Sequence, residues 1–145
     1  MGGPIKFPAK YLGAIPQIKT HLRLDSIINM ENRDVCEAEF LKNQPVAAFC
    51  GIANPEGFRQ ILQDTQVQLK MFQAFPDHHE YSLNDIKELE SRAKREGAKL
   101  ILVSEKDAVK LKDFKFLLPF YKVVIDLEIL EGREIFNNKI TTNRH

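Results

Sequence analysis

The sequence predicts an α/β fold, a mostly parallel sheet with helices on both faces, and three observations predict it. Val46-Ala47-Ala48-Phe49-Cys50 and Leu100-Ile101-Leu102-Val103 are short unbroken apolar runs, which is how strands buried on both faces read. Between and after such runs stand segments whose apolar residues keep helical spacing, Phe58-Ile61-Leu62 and Ile86-Leu89-Ala93. The resulting order, strand, helix, strand, helix, strand, helix, strand, builds parallel sheets through right-handed crossovers.

Each element has a local reason. Pro4, Pro8 and Pro16 with three glycines make residues 1–19 an irregular lead-in. Lys6, Lys10, Lys19, His21 and Arg23, interleaved with Phe7, Tyr11, Leu12 and Ile15, read either as a basic-apolar contact for a membrane surface or acidic ligand, or as a solvated arm. Leu22, Leu24 and Ile27-Ile28 suggest an edge strand or hairpin arm over 20–29, and a helical turn or two fits Glu37 to Lys42. After the strand ended by Gly51, Asn54 offers a cap and Pro55 a preset first helical position. A strand follows from Val67 to about Phe72. Ser82 with Asp85 resembles a capping box, and Gly97 is placed to end that helix in a left-handed turn. Lys99 to Val103 is the next strand, Ser104 caps a short helix through Leu111, and Tyr121 to Ile125 makes a further strand. Leu127 to Phe136 is expected as another, turned at Gly132, before a polar tail over 137–145.

Composition narrows the function classes. At 145 residues the chain is long enough for one real core and too short for two full domains. Its 21 Lys+Arg against 20 Asp+Glu leave a net charge of +1, with no global field to attract nucleic acid. Cys36 and Cys50 stand at no zinc or redox spacing, which points to reduced thiols. No apolar run approaches the ~20 residues of a spanning helix, and Met1-Gly2-Gly3-Pro4 is not a signal peptide, so the chain is expected to be soluble or at most peripheral.

Right-handed crossovers carry the loops that follow each strand to one sheet edge, where open sheets of this class bind ligands. Gly51 to Asn54, Phe75 to His79 and Ser104 to Asp107 are such loops. In Phe75-Pro76-Asp77-His78-His79-Glu80-Tyr81, the Asp77-His78 pair places a carboxylate beside an imidazole, able to act as a base or to orient one. The alternative is that Asp77 only shapes the turn while His78 and His79 face water. A metal site is disfavoured, since no further ligands stand at a metal spacing. Glu105, Lys106 and Asp107 open a helix with free amides and an ammonium, suited either to an anion or to plain capping. Asn54 could meet a phosphate, though capping accounts for it. The chain contains no GxxxxGK[ST].

Taken in order, Phe49 to Pro55, Phe75 to Tyr81 and Ser104 to Leu111 resemble the carboxy-terminal half of the tetraacyldisaccharide 4'-kinase family, over about Val46 to Phe136. The resemblance implies a three-layer α/β/α domain at 46–136, of the sort associated with P-loop kinases. Residues 1–45 match loosely the two-stranded connection between that family's halves. It further implies ATP- and Mg2+-dependent phosphorylation of the 4'-hydroxyl of tetraacyldisaccharide 1-phosphate, in lipid A biosynthesis at the cytoplasmic face of the Gram-negative inner membrane. By motif position His78, rather than His79, would pair with a catalytic aspartate of the amino-terminal half. Asp77, Asn54, Glu105, Lys106 and Asp107 would line or shape the cleft. The amino-terminal half would hold ATP, Mg2+ and the membrane contact, so the 145 residues alone are expected to be inactive. A metal-dependent phosphoesterase of Asp-His-His type and a non-catalytic α/β binding module are the other expectations.

Overall fold

The computed structural model describes residues 20–129. Contacts divide the chain into two compact units, Met1–Arg23 with Ile125–His145, and Leu24–Val124. Of the first unit only two strand ends are described, with Arg23 and Asp126 3.5 Å apart as an ion pair.

The elements are β1 (Thr20–Asn29), β2 (Val35–Glu37), a 3-10 turn (Ala38–Leu41), β3 (Pro45–Cys50), α1 (Pro55–Gln63), β4 (Gln68–Ala74), α2 (Leu83–Arg95), β5 (Leu100–Ser104), α3 (Glu105–Leu111) and β6 (Phe120–Ile129). They form one six-stranded sheet in the order β2-β1-β6-β5-β3-β4. β4, β3, β5 and β6 are parallel. Met30 donates to the Phe120 carbonyl at 2.9 Å, so the end of β1 meets the start of β6 and the two run antiparallel.

Period-2 alternation explains why β3 and β5 read as unbroken apolar runs. Ala47, Phe49, Ile101 and Val103 face a core closed by Ile86, Leu89 and Ala93 of α2 and Ala108 and Leu111 of α3. Val46, Ala48, Cys50, Leu100 and Leu102 face a second core with Phe58, Ile61 and Leu62 of α1. Helices on both faces make three layers, as expected. The helix ends follow the expected chemistry. Asn54 accepts from the Gly57 amide at 3.1 Å with Pro55 at the first position, and Ser82 with Asp85 forms a complete capping box. Gly97, at φ 87°, closes α2 with a paired motif in which Ala98 donates to Ala93 and Gly97 to Lys94.

Of the two readings of 20–29 the hairpin arm holds, because β2, a three-residue strand too short to show a period, takes the edge position by pairing Ile27 with Cys36. One expectation is corrected. Leu127 to Ile129 do not start another strand but continue β6, since Asp126 is tolerated within it by pairing with Arg23. Residues 130–136, with Gly132, and the lead-in 1–19 lie outside the described residues. Among the described glycines only Gly97 has positive φ.

Candidate functional site

The sheet order puts β4 on one side of β3 and β6 beyond β5 on the other, so the connections that follow the parallel neighbours β3 and β5 lead to opposite sides. Such a switch point opens a crevice at the carboxyl ends of the two strands. The loops after β3 and β5 flank it, and the 75–82 loop after β4 folds back over it. Phe75 donates to the Cys50 carbonyl at 2.7 Å and His78 to the Gly51 carbonyl at 3.2 Å.

Beneath these loops lies Asp107, 1% exposed. Both of its oxygens stand 3.1 Å from the Gly51 amide, the Tyr81 hydroxyl donates at 2.8 Å, and the Ser104 hydroxyl donates at 2.5 Å. Four donor contacts from three residues on three loops leave this carboxylate buried but satisfied. The same arrangement explains Gly51 by space. A Cβ there would lie 3.1 Å from the Pro76 carbonyl oxygen, 3.2 Å from His79 Cβ and 3.2 Å from the Tyr81 hydroxyl. Burial, then the Asp107 charge, pushes the Tyr81 phenol far above its usual range, so it stays a donor. Burial and the same carboxylate push the Cys50 thiol up to about 11, which removes it as a nucleophile near neutral pH. Both cysteines are free thiols.

The two histidines are placed very differently. His79 Nε2 lies 2.9 Å from Asp85 Oδ2, and its ring stacks on Phe75 with centroids 4.4 Å apart. Its carbonyl accepts from Lys110 Nζ at 2.9 Å. Asp85 is held below the usual carboxylate range first by the Ser82 amide and then by His79. The capping carboxylate thus also anchors an imidazole. His78 instead occupies the third position of a turn closed by His79 donating to the Pro76 carbonyl at 3.1 Å, with φ 67°. Positive φ at that position alone is the pattern of a type II turn, where Gly or Asn is usual. Its side chain is 76% exposed, with Nε2 3.6 Å from Asp77 Oδ2. The other oxygen, Asp77 Oδ1, accepts from Lys106 Nζ at 3.1 Å, and that hydrogen bond is the main cause of the lowered Asp77 pKa.

The structure therefore brings Asp77, His78 and Lys106 together as a connected group. Asp107, expected to line the cleft or shape its loops, is buried below the group and braces the loops. Glu105 turns toward the outer wall of α3, beside Val109 and Lys112. Asn54 is exposed and caps α1. Two roles escaped sequence reading, the Asp107 brace and the His79–Asp85 pair. For Asp107 one signal existed: it precedes Leu111 by four residues and so shares that residue's buried helix face. Among the described residues no group of three or more His, Cys, Asp or Glu is gathered as for a metal. Asp77, Asp85 and Asp107 are engaged by Lys106, by His79 and by the Gly51–Tyr81–Ser104 donors respectively.

Fold and site together define a three-layer α/β/α domain with a carboxylate–imidazole–ammonium group at its switch-point edge. The chain belongs to the tetraacyldisaccharide-1-P 4'-kinase family, whose description matches residues 5–143. The tetraacyldisaccharide 4'-kinase of Desulfotalea psychrophila is 45% identical over 76 residues, which are 52% of this chain and 22% of that one. That of Syntrophus aciditrophicus is 31% identical over 105 residues, 72% of this chain and 28% of the relative. The fold is similar to a crystal structure of LpxK from Aquifex aeolicus in complex with ATP, with TM-score 0.54 and 23% identity, covering 86% of this chain and 35% of that one. The chain thus spans 22% and 28% of the lengths of these two curated relatives. Among the described residues no helix is long and apolar enough to cross a membrane.

Proposed function

We propose that these residues supply the carboxy-terminal half of an ATP-dependent kinase acting on the 4'-hydroxyl of tetraacyldisaccharide 1-phosphate, at the cytoplasmic face of the bacterial inner membrane. The bond between the γ-phosphorus and the bridging oxygen of ATP breaks, the 4'-oxygen takes the phosphoryl group, and ADP leaves. The hydroxyl proton passes to a carboxylate of the amino-terminal half. That half also holds ATP and Mg2+ and makes the peripheral membrane contact; the 145 residues contain no GxxxxGK[ST] and have no kinase activity without it.

His78 orients the accepting carboxylate, which suits a reaction that depends on positioning and charge neutralisation more than on covalent chemistry. The observation that carries this reading is the placement of His78, an exposed imidazole on a strained turn at the switch-point edge, with its neighbour Asp77 tethered by Lys106. His79, bound to Asp85 and stacked on Phe75, is already committed. A phosphoesterase of Asp-His-His type would need these carboxylates free for metal, and they are engaged.

The test joins the chain to a family amino-terminal half and follows phosphoryl transfer from ATP to the lipid. His78→Ala should lower turnover by about a hundredfold or more with the circular dichroism spectrum unchanged. Near-normal turnover would refute the role of His78, and turnover by the unjoined chain would refute its dependence on the other half.

A further inference from the structure

On the face of the sheet that carries α3, a groove of about 760 Å³ runs between the outer wall of that helix and the strands β6 and β1, entirely within Leu24–Val124. That volume falls in the ~300–1,000 Å³ range of ligand pockets. Its floor is apolar and aromatic: Met30, Phe114, Phe116 and Phe120, the last two stacked at 3.7 Å. Its walls carry Arg33, Lys112, Lys115 and Lys122 against Glu31 and Glu105, an excess of two positive charges.

These cations differ from those of the switch-point edge. There, Lys106 and Lys110 pair with Asp77 and Glu80. No ion pair among the described residues engages Arg33, Lys112, Lys115 or Lys122. Between the lining residues Phe116 and Leu118, Leu117 is 79% exposed, and buried Glu90 fixes the backbone there by accepting the Leu117 amide at 2.6 Å and the Leu118 amide at 2.9 Å. A presented leucine beside unpaired lysines, over an aromatic floor, combines the apolar and electrostatic signals of interfacial lipid binding. Both β1 and β6 are interior to the sheet, which leaves no free backbone edge for an added peptide strand.

We propose that this groove and its Leu117 lip dock on an anionic phospholipid surface, with phosphate groups at the lysines and an acyl chain along the phenylalanine floor. Membrane contact would then be made by this domain itself, in addition to any made by an amino-terminal half. The proposal needs neither ATP nor that half, so it can fail or hold independently of the kinase reading.

Flotation of the purified chain with vesicles tests it. The chain should float with phosphatidylglycerol–phosphatidylcholine vesicles, less so as salt rises, and not with phosphatidylcholine alone. Lys112→Glu with Lys115→Glu should weaken partitioning at least about tenfold, and Leu117→Asp should weaken it severalfold. All three residues are exposed, so the fold should persist by circular dichroism. Lys87→Glu with Arg95→Glu, the same charge change on the exposed face of α2, should leave partitioning within about twofold. Lysophosphatidylglycerol below its micelle concentration should compete, and glycerol phosphate should not. Absence of flotation, whether or not an acidic amphipathic peptide binds instead, would overturn the proposal. So would equal losses in the groove and control variants, or equal competition by glycerol phosphate.

Discussion

At the base of the 75–81 loop Tyr81 is 8% exposed and gives its hydroxyl to Asp107, while at the tip the His78 side chain is 76% exposed and held at φ 67°. The base is anchored on three sides, by Asp107, by the Phe75–His79 stack and by Asp85. The tip has one side-chain tether, from Lys106 to Asp77, and one backbone bond, from the His78 amide to the Gly51 carbonyl. The difference teaches how a short polar segment divides its labour. Residues with buried partners fix the path of the backbone, and that fixed path can hold an imidazole in a conformation an unsupported chain would avoid.

The largest loss is expected from Asp107→Ala. It leaves the Gly51 amide and the Tyr81 and Ser104 hydroxyls without their buried acceptor, so urea denaturation should show a loss of about 3 kcal/mol or more. A loss below about 1 kcal/mol would mean the brace is not structural. Gly51→Ala comes next, with an expected loss of about 1–3 kcal/mol, because its Cβ meets a backbone oxygen and the hydrogen-bonded Tyr81 hydroxyl, neither free to move.

Acid loosens the base of the loop by a smaller amount. Asp85 has a lowered folded-state pKa, so its contribution is complete above the unfolded value near about 3.9 and is lost as pH falls through the lowered folded one. The wild-type urea midpoint should therefore fall more steeply below about pH 4 than that of Asp85→Asn, by under about 1 kcal/mol for a group still in contact with solvent. Parallel slopes would remove Asp85 from the anchor. Smallest, and opposite in sign, is His78→Gly. Relief of positive φ is offset by the entropy of an unfolded glycine, so the variant should match wild type or exceed it by up to about 1 kcal/mol in the same assay. Clear destabilisation would show that the tip also holds the fold.

Much of the scaffold was legible because its causes are local or periodic. Apolar runs marked β3 and β5, Asn54-Pro55 and Ser82-Asp85 marked helix starts, and Gly97 marked a helix end. β2 escaped because three residues show no period, and the continuation of β6 escaped because Asp126 is supported by Arg23, about a hundred residues away. In the candidate site, Asp77 and His78 stood out as neighbours carrying complementary chemistry. Their link to Lys106 spans 29 residues, and that of Tyr81 to Asp107 spans 26, so neither spacing leaves a mark in a local window.

By itself, then, the sequence determined the α/β class, the order of its elements and the resemblance that the family match bears out, because strand and helix periods and caps act within a few residues. Contacts between distant loops settle which of two adjacent histidines is committed and which is exposed, and that Asp107 shapes the crevice by bracing its loops from below. Those outcomes depend on contacts between loops that the sheet order brings to one edge, and on burial that the summed packing of both cores imposes.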